Sequence, residues 1–123
     1  MRTEVLSPME IELKMAQCID ALEAAIDAQR ELGITYAEAN HAYRQAQASE
    51  WLRAKTDETL KTDKMREAHV VQATDEKMLA RDIAEVRYDA AKSVVRTLQT
   101  EAELLRSLAR SSRDLVDSWH GGN

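Results

Sequence analysis

Residues 49–69 read "SEWLRAKTDETLKTDKMREAH", and this stretch decides how the chain folds. On either side the pattern is helical. Inside it, Thr56, Thr59 and Thr62 recur at threes with Asp57 and Asp63 among them. Threonine and aspartate side chains compete with the backbone for local hydrogen bonds and weaken a helix interior. Neither glycine nor proline is present to demand a tight reversal. Residues 56–62 therefore read as a connector, with Thr62 capping a further helix; a continuous bent helix is the alternative.

Working back from this stretch, Ser7-Pro8-Met9-Glu10 is a helix start: a serine cap, proline in the first turn and a glutamate able to reach back. Ile11, Met15, Ile19, Leu22, Ile26 and Leu32 then fall on one helical face, interrupted by Gln29. Gly33 can end that helix, and Thr35-Tyr36-Ala37-Glu38 repeats the start signal two residues later. The expectation is helix 1 over about 8–32, a tight antiparallel turn, and helix 2 over about 36–55. The buried side of helix 2 would carry Tyr36, Ala39, Tyr43, Ala46 or Ala48, Trp51 and Leu52.

Working forward, no glycine or proline occurs from Asp63 to Trp119, which predicts one long helix over about 63–119 and a tail at 120–123. Its apolar stripe runs Leu79, Ile83, Val86, Ala90, Val94, Leu98, Ala102, Leu105, Leu108, Ser112, Leu115, Trp119, a mean step of about 3.6. Such a helix reaches roughly 80 Å, more than two shorter helices can cover. Either another chain covers the remainder or the helix breaks, near Thr74-Asp75 or Ser111-Ser112. The predicted fold is a single all-α domain, 1–123, in which an antiparallel helical hairpin packs on a long C-terminal helix and chains associate as a coiled-coil-like oligomer. The interface would use Val94, Leu98, Leu105, Leu108, Leu115 and Trp119.

Composition agrees with helices. Phenylalanine is absent, and glycine and proline together number four. The net charge of -5 resides in the first forty residues, and the rest is balanced, unlike a globally basic nucleic-acid binder. Cys18 is the only cysteine, so no intrachain disulfide forms. No apolar run has the length of a signal peptide or a membrane span. The expected setting is the cytoplasm, with no membrane partner.

Two segments carry a family resemblance. "AYRQAQASEWLRAK" (42–55), then a long helix that opens with "KMREAH" (64–69) and closes with "LLRSLARSSRD" (104–114), resembles a group of small all-helical bacteriophage proteins. The general layout looks like the UvsY-type recombination mediators. The resemblance spans roughly residues 36–114. It implies a homo-oligomer, in the host cytoplasm, that binds single-stranded DNA and helps load a recombinase onto strands covered by single-strand-binding protein. Arg53, Lys55, Lys61, Lys64 and Arg66 lie in the best-matching region and would be the DNA-binding residues. Tyr43 and Trp51, one helix away, would stack on bases. The other reading is a DNA-independent helical scaffold, adaptor or host-protein inhibitor, motivated by the acidic first helix and the aliphatic surface.

Other groups point to packing or surface roles. Glu38 and His41 are one helical turn apart, but a di-iron site needs this spacing in pairs, and Glu67 and His69 have the wrong spacing. Cys18 beside the first apolar face packs as a small hydrophobe. Phosphate loop, metal-ligand cluster and nucleophile–base pair are all missing from the sequence. No cofactor, metal or catalytic residue is expected, and the chain reads as a non-enzyme.

Overall fold

The computed structural model describes residues 6–121. They form three helices: α1 (Pro8–Thr56), α2 (Asp63–Ala73) and α3 (Asp75–Gly121). No strand occurs among the described residues, so the all-α class holds. The start of α1 follows its local chemistry. The Ser7 hydroxyl accepts from the Glu10 amide at 3.2 Å, and the Ser7 carbonyl accepts from the Ile11 amide at 3.0 Å.

The expected turn at Gly33 is absent, because α1 continues through it to Thr56. No described glycine adopts a positive φ, so Gly33 does not supply the left-handed residue that ends a helix. Thr35 does not cap a new one either; its hydroxyl donates to the Glu31 carbonyl one turn back, at 3.1 Å. A side-chain role accounts for the glycine. A Cβ at this position would stand 3.0 Å from Cε1 and 3.3 Å from Cζ of Tyr88. That ring also stacks on Tyr36, centroids 6.1 Å apart and planes 23° apart. Glycine costs a helix interior about 1 kcal/mol relative to alanine; here its missing side chain makes room for an aromatic ring.

The chain reverses at residues 57–62, where the sequence predicted a connector over 56–62 and placed the antiparallel turn at Gly33 instead. The Asp57 carbonyl accepts from the Leu60 amide at 3.2 Å. The Asp57 carboxylate accepts from the Thr59 amide at 2.9 Å and the Thr59 hydroxyl at 2.6 Å. The hydroxyl bond, then the amide bond, hold the Asp57 carboxyl below its ordinary range. Thr62 caps α2, its hydroxyl accepting from the Met65 amide at 3.2 Å.

The long C-terminal helix is interrupted at Thr74, one of the two expected places. Thr74 is buried, and both its amide (3.0 Å) and its hydroxyl (2.7 Å) donate to the Val70 carbonyl. A hydroxyl that shares the i−4 carbonyl with the backbone bends a helix, and the backbone leaves helical values here, at φ -107° and ψ 6°. The Met78 amide then donates to the Thr74 carbonyl at 2.9 Å, which starts α3 without a loop.

The chain divides into two compact units. One comprises Met1–Ala28 with Ala91–Asn123, the other Gln29–Ala90. In the first unit α1 and α3 run antiparallel. The Cys18 thiol donates to the Leu98 carbonyl at 3.4 Å, while Pro8, Glu12 and Met15 face Ala109, Ser112 and Val116 across a shared cleft. Ile11, Cys18, Val95 and Leu105 are buried. The rest of the seam is half-buried: Met15, Leu22 and Ala25 on α1, and Ala91, Leu98, Ala102, Ala109 and Ser112 on α3. These positions alternate steps of three and four, a mean of about 3.5, the period of a left-handed coiled coil. Burial pushes the Cys18 thiol up, with Glu101 adding to the shift, so Cys18 packs as a small hydrophobe.

In the second unit, Ala54, Val70, Thr74 and Ala84 are buried. The same alternation continues through half-buried Leu32, Tyr36, Ala39, Tyr43, Ala46 and Glu50 on α1. The pairings Tyr36–Tyr88, Tyr43–Arg81 and Glu50–His69 show α1 antiparallel to the α2 and α3 segments.

Candidate functional site

The five basic residues singled out in the sequence all lie around the 57–62 connector in the second unit. Arg53 and Lys55 occupy the last turn of α1, where a cation also offsets the negative end of the helix dipole. Arg53 pairs with Glu50 at 3.3 Å and Arg66 with Asp63 at 2.9 Å. Lys55, Lys61 and Lys64 are exposed.

The two aromatic groups near this cluster are differently placed. One face of Tyr43 is covered by the Arg81 guanidinium, 4.4 Å from the ring centroid, and its hydroxyl accepts from Gln47 at 2.9 Å. Arg81 in turn donates twice to the Asp82 carboxylate, at 2.9 and 3.1 Å. Trp51 is half-buried. Leu52, expected on the buried side, is 68% exposed, and the neighbouring buried position is Ala54.

Sequence reasoning missed a polar set on this seam. Glu50 bridges two elements: its Oε2 lies 3.3 Å from His69 Nε2 on α2, and its Oε1 accepts from Arg53. Arg81 over Tyr43 belongs to the same group. A signal was available. Stepping three and four from Ile11 lands on Gln29 and Glu50, polar residues at positions that face another helix. The Glu38 and His41 side chains are both exposed. Among the described residues, no group of three His, Cys, Asp or Glu side chains is placed to hold a metal, and no helix is long and apolar enough to cross a membrane.

The expected interface residues separate into two sets. Leu105 is 6% exposed, and the carbonyl of half-buried Leu98 meets Cys18. These two belong to the intramolecular seam. Val94 (51%), Leu108 (47%), Leu115 (68%) and Trp119 (82%) are exposed. Val94, Leu108 and Leu115 share an outer row with Leu104, which is also exposed. Trp119 and Val116 instead continue the seam's own steps past Ser112. Near them, in the first unit, a half-open cleft of about 490 Å³ lies between the first turns of α1 and the last turns of α3. In the second unit, Leu79, Ile83 and Val86 form another exposed group on α3.

No protein-family model, curated protein or solved structure matches the chain.

Proposed function

We propose that this chain is a helical interaction protein that works as a homo-oligomer, acting through contact surfaces and not through catalysis. The observation that carries this reading is the apolar surface left outside the seam. On α3, Val94, Leu104, Leu108 and Leu115 in the first unit are 47% or more exposed, and Leu79, Ile83 and Val86 in the second are 45% or more exposed. Rows of exposed leucine, valine and isoleucine on a helix flank are the kind of surface that associating chains cover. The test is the mass of the full chain by light scattering at micromolar concentration. A multiple of 13.9 kDa supports the reading, and a monomer mass contradicts it.

A second reading keeps the accessory role in DNA recombination, with the oligomer binding single-stranded DNA and engaging a recombinase and single-strand-binding protein. One observation favours it: Lys55, Lys61 and Lys64 are exposed around one connector and form no ion pair among the described residues. Several copies would multiply that positive surface. Tyr43 has less to offer, since Arg81 already occupies one of its faces. Under this reading, neutralising Arg53, Lys55, Lys61, Lys64 and Arg66 together lowers affinity for an oligonucleotide by at least tenfold at low salt. It also flattens the salt dependence, because fewer counterions are released. Fluorescence anisotropy with a labelled oligonucleotide measures both. If the oligomer binds no single strand at low salt, this second reading falls and the interaction-protein reading stands.

A further inference from the structure

Two rows of exposed charge, one on α1 and one on α3, carry mirrored patterns. On α1, Asp20, Glu23, Asp27 and Arg30 follow steps of three, four and three, and on α3 Glu103, Arg106, Arg110 and Arg113 follow the same steps. Residues at these steps share one helix face, and all eight are exposed. Asp20, Glu23, Arg106, Arg110 and Arg113 form no ion pair among the described residues. The three arginines line an open hollow of about 480 Å³, together with Asp114 and Asp117, which leaves room for incoming carboxylates. The single chain does not bring the two rows together. Glu12 and Arg113 line the same cleft, and Asp20 lies eight residues further along α1, about 12 Å at 1.5 Å per residue.

We infer that the basic row of α3 receives the acidic row of α1 from a second copy of this chain, with the two helices antiparallel. The inference rests on the reading that the chain assembles, and it names the surfaces and their register. Charge complementarity identifies the occupant. Read antiparallel, Asp20 meets Arg113, Glu23 meets Arg110, Asp27 meets Arg106 and Arg30 meets Glu103, so every pair is of opposite sign. The next position along pairs Ala16 with Asp117, which adds no like charge. Read parallel, Asp20 meets Glu103 and Arg30 meets Arg113, two like-charge pairs that oppose docking. The contact joins two different surfaces. Each copy therefore keeps one row open to a further copy, and growth ends only where the rotation between copies closes a ring.

Charge exchange tests the surfaces, and cross-linking tests the register. The triple change Arg106→Glu, Arg110→Glu, Arg113→Glu is expected to lower the mass of the assembly by at least half in light scattering at low salt. Helical circular dichroism is expected to stay, since all three side chains are exposed. Asp20→Lys, Glu23→Lys, Asp27→Lys is expected to have the same effect, and a chain carrying both sets is expected to recover the mass, because its rows are exchanged. The control Lys55→Glu, Lys61→Glu, Lys64→Glu makes the same change in net charge on exposed residues of the other unit and is expected to leave the mass unchanged. An unchanged mass for the arginine variant, an equal loss in the control, or no recovery in the combined chain would overturn the surfaces. For direction, chains carrying Asp20→Cys are oxidised with chains carrying Arg113→Cys or Glu103→Cys, all with Cys18→Ala. The mixed disulfide is expected with Arg113→Cys, and a preference for Glu103→Cys would overturn the antiparallel register. Each of these failures leaves the assembly reading intact; that reading fails separately, if the unmodified chain is a monomer.

Discussion

Leu105→Ala is expected to destabilise the chain by about 2–4 kcal/mol, read as a lower urea midpoint with an unchanged slope. Leu105 is 6% exposed, and its seam neighbours on α3 are Ala102 and Ala109. Short side chains cannot move into the vacated volume, so the cavity persists and adds to the lost transfer energy. Leu13→Ala is the matched control in the same unit. Leu13 is 60% exposed, and surface truncations usually stay within about 0.5 kcal/mol. Equal losses at the two positions would mean that Leu105 is not in the core of the helix pair.

The second large effect is expected at Gly33. Gly33→Val should cost about 2 kcal/mol, the usual scale for overpacking a filled site. The added carbon begins 3.0 Å from the Tyr88 ring, and that ring is itself held against Tyr36. The mechanism is checked by its reversal. With Tyr88→Ala in place the obstruction is gone, and Gly33→Ala should then stabilise the chain by about 1 kcal/mol through helix propensity alone. A stabilising Gly33→Ala in the unaltered background would show that the Tyr88 ring moves aside at little cost.

Gly33 also marks where the sequence misled. A glycine followed by Thr35 and Glu38 carries the local chemistry of one helix ending and another beginning. The tertiary partner that gives the glycine its purpose, Tyr88, is far away in the chain, so local signals alone pointed to a turn. The connector was legible because its chemistry is local: Asp57 bonds Thr59, and Thr62 bonds Met65. Thr74 was legible as a place of interruption for the same reason, since its hydroxyl bonds a carbonyl four residues back.

The apolar stripe of the C-terminal helix was half legible. Counting at 3.6 begins on the outer group at Leu79, Ile83 and Val86, drifts onto the seam at Leu98, Ala102 and Leu105, and leaves it again at Leu108 and Leu115. An ideal straight helix drifts by about 20° per heptad against a 3.5 repeat, so one stripe read at that period merges two rows. The α3 seam mixes Val95, Leu98 and Leu105 with Ala84, Tyr88, Ala91, Ala102, Ala109 and Ser112, while Leu104, Leu108 and Leu115 lie outside it. The polar contacts of the second unit were hidden for a different reason. Glu50, His69 and Arg81 have charged or titratable side chains and read as surface, yet each meets a group on another helix.

In the proposed assembly, further copies of the chain cover those outer aliphatic rows. Sedimentation equilibrium across a dilution series, with helicity followed on the same samples, tests this most directly. The predicted result is a mass that falls from a multiple of 13.9 kDa toward the single chain on dilution, with helical signal declining as copies separate. A single-chain mass at every concentration, with helicity undiminished, would contradict it.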